Sequence, residues 1–206
     1  KAVRKAGDFN PQDVANTLHA LIVSGHFDKE AICAMLSMFG LQDVSSYSPD
    51  SLSQLRLVLL SLSKEQPAWV LPDLPLSFAH ISNHLRSSQL AQAKASTSKL
   101  HMQVSRVLSD MGVQHTNETE TGGLSVDIEV DAQDELGVRV VEVDGPTHYC
   151  ATDTRRELGS TVFKRRLLAA QGLRCVSVPY FEWGRLQTAN QKEEYLRLKL
   201  QQMVCG

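Results

Sequence analysis

The stretch Val138–Tyr149, reading VRVVEVDGPTHY, limits what this chain can become. Val138, Val140, Val141 and Val143 have the β-branched pattern of a strand buried on both faces. Into that run the sequence inserts Glu142 and Asp144, and alternation along a strand puts both carboxylates on one face. Gly145-Pro146 stops the strand, and His148 follows. Two acids at the end of a buried strand are costly unless a cation, a metal ion or a ring of donors meets them. The rest of the chain has to supply those partners.

At 206 residues the chain is long enough for one compact domain with an appendage, or for two small domains. No apolar run reaches the roughly 18 residues of a membrane span, so none is expected. Cys33, Cys150, Cys175 and Cys205 are scattered without a CxxC pair, which argues against a zinc site or a disulfide framework. The first residue is Lys and no signal peptide follows, so the chain is expected to be a piece of something longer. Net charge is −2, but residues 138–206 hold 11 Lys/Arg against 7 Asp/Glu. That makes the C-terminal third the better place for a polyanion.

Residues 1–8 read as a frayed lead-in. Asn10-Pro11 with Asp13 opens a helix carrying Val14, Leu18 and Leu21 and ending at Gly25. Asp28 caps a second helix, which stops at Gly40. Ser48-Pro49-Asp50 opens a third, with Leu52, Leu55, Leu59 and Leu62 as its core stripe. The two Pro-containing openings stand 38 residues apart, which suggests a helical-hairpin repeat; an ordinary helical bundle gives the same caps. This opening resembles the octatricopeptide repeats of organelle RNA-binding proteins and the helical repeats of the FAST-kinase-like family. Pro67, Pro72 and Pro75 break the second unit, and residues 64–76 read as a linker. Another helix is expected over 76–91.

A clear amphipathic helix then starts at Ser96 or Ser98 and carries Leu100, Val104, Val107, Leu108 and Met111 to Gly112. His101 and Arg106 fall on its polar side. From there the period changes to two. A short strand at 113–116, a polar turn at 117–123 and an alternating strand at 124–131 lead through an acidic turn at 132–137 into the central strand. A polar loop over 149–157 carries Arg155-Arg156. Gly159-Ser160-Thr161 caps a helix that ends at Gly172. Cys175, Val176 and Val178 make another buried strand, followed by the aromatic turn Tyr180–Trp183 and a last helix over 193–204. The fold class is α/β: a helical segment over 1–92, then a small α/β domain over 93–206.

Asp127 in the second strand, with Glu142-Val143-Asp144 ending the third, resembles the restriction-endonuclease-like core of PD-(D/E)xK nucleases. That resemblance implies a divalent ion, Mg or Mn, on Asp127 and Glu142. Asp144 stands where that family normally has lysine, and so departs from the pattern; Lys164 on the next helix is the candidate replacement. A closer likeness covers residues 138–198. Val141–Tyr149, Leu158–Thr161, Lys164–Leu168, Gly172, Val176–Trp183 and Tyr195-Leu196 look like the RAP domain. This implies an RNA-binding protein of organelle RNA metabolism, in the mitochondrion or alternatively the chloroplast. It also implies association with an organelle ribosome and its proteins as a possible setting, and it favours binding over cleavage, with no cofactor.

The residues give their own reason to expect RNA. Gly159, Ser160 and Thr161 at a helix start offer backbone N–H groups to a phosphate. Lys164, Arg165 and Arg166 follow, and His148, Arg155 and Arg156 precede them. Tyr180, with Tyr149, Phe181 and Trp183, offers faces on which unpaired bases can stack. Each has a plainer alternative: a solvated basic helix face, a packed aromatic core, and acids that serve only to hold the Gly145-Pro146 loop. Two further function classes stay open: a metal-dependent ribonuclease using Asp127, Glu142 and Lys164 with Asp144 as a further ligand, as the endonuclease resemblance implies, and a purely architectural module that docks on protein.

Overall fold

The computed structural model describes residues 9–40, 47–69, 98–131 and 139–205. The chain divides into two compact units, Lys1–Ala95 and Ser96–Gly206. The expected lead-in, the linker beyond residue 69, the helix over 76–91, the boundary at 92/93 and the turn at 132–137 lie outside the described residues.

The first unit contains α1 (Pro11–Val23), α2 (Lys29–Gly40) and α3 (Pro49–Glu65). Asn10 caps α1 by accepting from the Asp13 N–H at 2.9 Å, and the Asp13 carboxylate accepts in return from the Asn10 N–H at 3.2 Å. Ser48 caps α3 by accepting from the Ser51 N–H at 3.2 Å. Both helices start with Pro, whose missing N–H costs nothing at that position. The two openings also touch: the Ser51 hydroxyl donates to Gln12 Oε1 at 2.8 Å. Leu18, Ile22, Ile32, Leu36, Leu52 and Leu55 are fully buried, and Phe39 meets the edge of Tyr47 with ring centroids 4.9 Å apart.

The second unit is built on a mixed sheet. Its strands are β1 (His115–Thr121), β2 (Leu124–Val130), β3 (Arg139–Asp144) and β6 (Arg174–Pro179), in the order β1-β2-β3-β6. The first three are antiparallel neighbours, and β6 runs parallel to β3. Between β3 and β6 come a short 3₁₀ turn (Pro146–His148), a small hairpin of β4 (Tyr149–Cys150) and β5 (Asp153–Glu157), and helix α5 (Gly159–Ala170). Helix α4 (Lys99–Asp110) precedes the sheet; α6 (Tyr180–Trp183) and α7 (Ala189–Cys205) follow it.

Alternation in β3 sorts its residues to two sides. Val141 and Val143 join Val104 and Leu108 of α4, Ile128 and Val130 of β2, Val178, Trp183 and Leu196 in one apolar core. Glu142 and Asp144 face the other way, toward α5. That helix is anchored by Phe163, Leu167 and Leu168, all buried. Trp183 is 3 % exposed and its indole N–H donates to Gln103 Oε1 at 3.0 Å, so it belongs to the core and offers no stacking face.

Several expectations need correcting. β1 runs through residues 117–121, which the sequence reading gave to a turn. It is an edge strand of alternating Thr, Asn and Glu, and so carries no apolar period to read. The turn shrinks to Gly122-Gly123, at φ +59° and +76°, the left-handed pair that a two-residue hairpin needs. The loop over 149–157 is the β4–β5 hairpin. The aromatic turn is one turn of helix, and the last helix starts at Ala189. His101 is 4 % exposed, not solvated; its Nε2 lies 2.9 Å from Asn117 Oδ1 on β1.

Candidate functional site at the end of the central strand

The site forms where β3 ends beneath the start of α5. Glu142 is 3 % exposed and Asp144 1 %. Each has cationic and neutral donors around it. Lys164 Nζ pairs with Glu142 Oε2. Glu142 Oε1 accepts from the Asp127 N–H at 3.4 Å. Asp144 Oδ2 accepts from the Ser177 hydroxyl and has Arg165 Nη1 at 3.7 Å. Asp144 Oδ1 lies 3.1 Å from His148 Nδ1. Arg165 reaches over to Glu157 with its other nitrogen, Nη2. The parallel β3–β6 register puts Ser177 opposite Glu142, two residues before Pro179, which lies opposite Asp144.

These contacts shift the groups involved. Burial raises the Glu142 carboxyl above its ordinary value; Lys164 pulls it back without cancelling the effect, and the nearby Asp127 charge adds to the rise. For Arg165, burial works against the charge, but Glu157 and Asp144 outweigh it and hold the guanidinium above its usual value. Burial, aided by the Glu142 charge, pushes the Cys175 thiol up to about 12, so it is no nucleophile at neutral pH. Burial and then the Asp144 charge push the Tyr149 hydroxyl up to about 12.

Above the acids lies a cavity of about 230 Å³ lined by both carboxylates, His148, Ser160, Thr161, Lys164 and Arg165. Leu158 is the N-cap of α5 and makes no side-chain capping bond, so Gly159 is already helical rather than part of the cap. The first backbone N–H groups of that helix therefore have no side-chain acceptor, the usual state of an uncapped start.

Other candidate residues sit elsewhere. Asp127 does not line the cavity. Its Oδ2 accepts from the Val143 N–H at 2.7 Å, where the β2–β3 ladder has already stopped at Ile128–Val141. On its other side the β1–β2 ladder passes over Asp127, opposite Glu118 at φ +50°. Tyr180 packs with Tyr149 and Phe181 in a cluster of three rings, centroids 5.3 to 5.9 Å apart. Arg166 lies over the Phe163 ring at 5.3 Å. Arg155 and Arg156 are exposed on β5, and neither forms an ion pair among the described residues.

The carboxylates do not fit the metal site that the endonuclease resemblance implies. Asp127 is occupied by a backbone N–H, Glu142 by an ammonium, and Asp144 by a hydroxyl, an imidazole and a guanidinium. Among the described residues, no group of three His, Cys, Asp or Glu is arranged to hold a metal. Sequence reasoning missed Ser177 and Glu157. Both meet their partners only through strand register and the hairpin–helix junction, which leave no local signal.

This strand, hairpin, helix and strand coincide with a known unit. Residues 141–199 match the RAP domain. Beyond it, the chain is 30 % identical over 199 residues to a rice (Oryza sativa subsp. japonica) protein described as "RAP domain-containing protein, chloroplastic". That alignment covers 92 % of this chain and 30 % of the relative, so the chain spans less than a third of the curated relative it matches. No helix among the described residues is long and apolar enough to cross a membrane.

Proposed function

We propose that this protein binds single-stranded RNA through its RAP domain, in chloroplast RNA metabolism. The observation that carries this reading is the exposed Arg155-Arg156 pair on the β4–β5 hairpin, which forms no ion pair among the described residues. It sits beside a helix start that still has backbone donors to offer. Adjacent residues on a strand point to opposite faces, so the ribbon presents one guanidinium on each side. Guanidiniums that give no donors to protein carboxylates keep their full set for phosphate oxygens. The chloroplast is chosen over the mitochondrion because the rice relative is chloroplastic. We read the mixed sheet as endonuclease-like and α1–α3 as repeat-like, which suits a chain whose other unit adds RNA-contacting surface. Lys164 and Arg165 act mainly by holding the buried acids. The test is titration of the protein against single-stranded RNA. Replacing Arg155 and Arg156 together with Ala is expected to weaken binding by roughly tenfold or more, each losing charge-assisted hydrogen bonds. Unchanged affinity would overturn the reading.

A further inference from the structure

Within the cavity, one polar atom has a defined role to offer and no protein partner. His148 Nδ1 lies 3.1 Å from Asp144 Oδ1, and an ionised carboxylate only accepts, so Nδ1 carries the proton. The Thr161 hydroxyl, 3.4 Å from both His148 Nδ1 and the His148 carbonyl, donates to that carbonyl and braces the ring. Asp144 is itself fixed by Ser177 and Arg165, so the imidazole is held by a rigid support. In the neutral ring the remaining nitrogen, Nε2, is an acceptor. It makes no hydrogen bond among the described residues, the side chain is 38 % exposed, and it lines the cavity.

We propose that His148 Nε2 accepts a hydrogen bond from a ribose 2′-hydroxyl and so distinguishes RNA from DNA. The inference rests on the RNA-binding reading and names the sugar contact within it. The Leu158 N–H donates to the His148 carbonyl at 2.9 Å, which ties the His148 backbone to the residue that follows the arginine-bearing strand. An acceptor nitrogen has nothing to offer a phosphate oxygen, and the donor that RNA backbone has and DNA lacks is the 2′-hydroxyl.

The experiment measures binding of the protein to single-stranded RNA, to DNA of the same sequence and to fully 2′-O-methylated RNA. RNA is expected to bind roughly 3- to 10-fold more tightly than the other two, the range of one net hydrogen bond. His148→Ala should bring RNA to the DNA value and leave DNA binding unchanged. His148→Gln, whose amide can donate to Asp144 and still accept, should restore part of the preference. Equal binding of RNA and DNA by the unaltered protein overturns the sugar contact while leaving RNA binding in place, and needs no variant to fold. Equal loss for RNA and DNA in His148→Ala overturns it too. Absence of binding to any of the three overturns the functional reading and this inference together.

Discussion

Helix α5 carries three adjacent basic residues, Lys164, Arg165 and Arg166, and the β5 strand beside it two; the structure uses Lys164 and Arg165 in the opposite way from Arg155 and Arg156. Lys164 and Arg165 lie over buried carboxylates, with side chains 29 % and 26 % exposed. Arg155 and Arg156 stand on an exposed ribbon between Asp153 and Glu157, and neither forms an ion pair among the described residues. Charge counted along the sequence favours the helix, where Lys164, Arg165 and Arg166 have no acid among them, but charge available to a ligand depends on which cations are already paired. A cation spent on Glu142 or Asp144 offsets the cost of burying an acid; one that faces water keeps its full attraction for phosphate. The comparison turns a basic cluster into two parts, one that holds the fold and one that meets the partner.

The largest effect should come from cutting the anchor of the inward-facing pair. Leu167 is fully buried, and Leu167→Ala is expected to cost about 2–5 kcal/mol in denaturant unfolding. A cost within the range of a surface change would mean that α5 does not fix those cations at all. Next, Lys164→Ala or Arg165→Ala leaves a buried acid short of a partner and should cost roughly 1–3 kcal/mol. Should either be neutral, the division between the two pairs breaks down.

A smaller effect is expected with pH. The Glu142 carboxyl sits above its ordinary value of 4.5, so as pH rises the unfolded chain releases this proton before the native one does. Its contribution to stability is therefore fully present below pH 4.5 and is lost as pH climbs through the folded value. Unfolding free energies measured from pH 4 upward should show a decline that is flatter in Glu142→Gln. An identical profile in the variant would remove Glu142 as its source. The smallest change in stability belongs to Arg155→Ala with Arg156→Ala, expected within about 0.5 kcal/mol, as for a surface away from packed contacts. A larger loss would give the hairpin a structural role.

Much of this architecture was legible before any coordinates. Period two in VRVVEVD placed β3 and put Glu142 and Asp144 on one face, and the 3.6-residue spacing from Leu100 to Met111 gave α4. The failures are instructive. β1 is polar along its length because an edge strand need not bury much, so its hydrogen bonds left no apolar trace. His101 fell on the polar side by counting, yet it is buried and meets Asn117, on the part of β1 that the sequence assigns to a turn. At the site, residue types pointed to an acid-rich pocket with basic neighbours. Which cations were engaged depended on Glu157, Ser177 and the Val143 N–H, all brought in by register. Neither the parallel pairing of β3 with β6 nor the fold of the 149–157 hairpin can be counted along the chain. For that reason Lys164, Arg165 and Arg166 looked as available as Arg155 and Arg156.

The salt dependence of single-stranded RNA binding separates the two pairs most directly. Each phosphate contact contributes about 0.7 to the log–log slope for a single strand. Replacing Arg155 and Arg156 with Ala should therefore lower the slope by about 1.4, and replacing Lys164 and Arg165, in protein shown to remain folded, should lower it by clearly less. A slope that is unchanged by loss of the hairpin arginines, but falls with loss of the helix cations, would contradict the account.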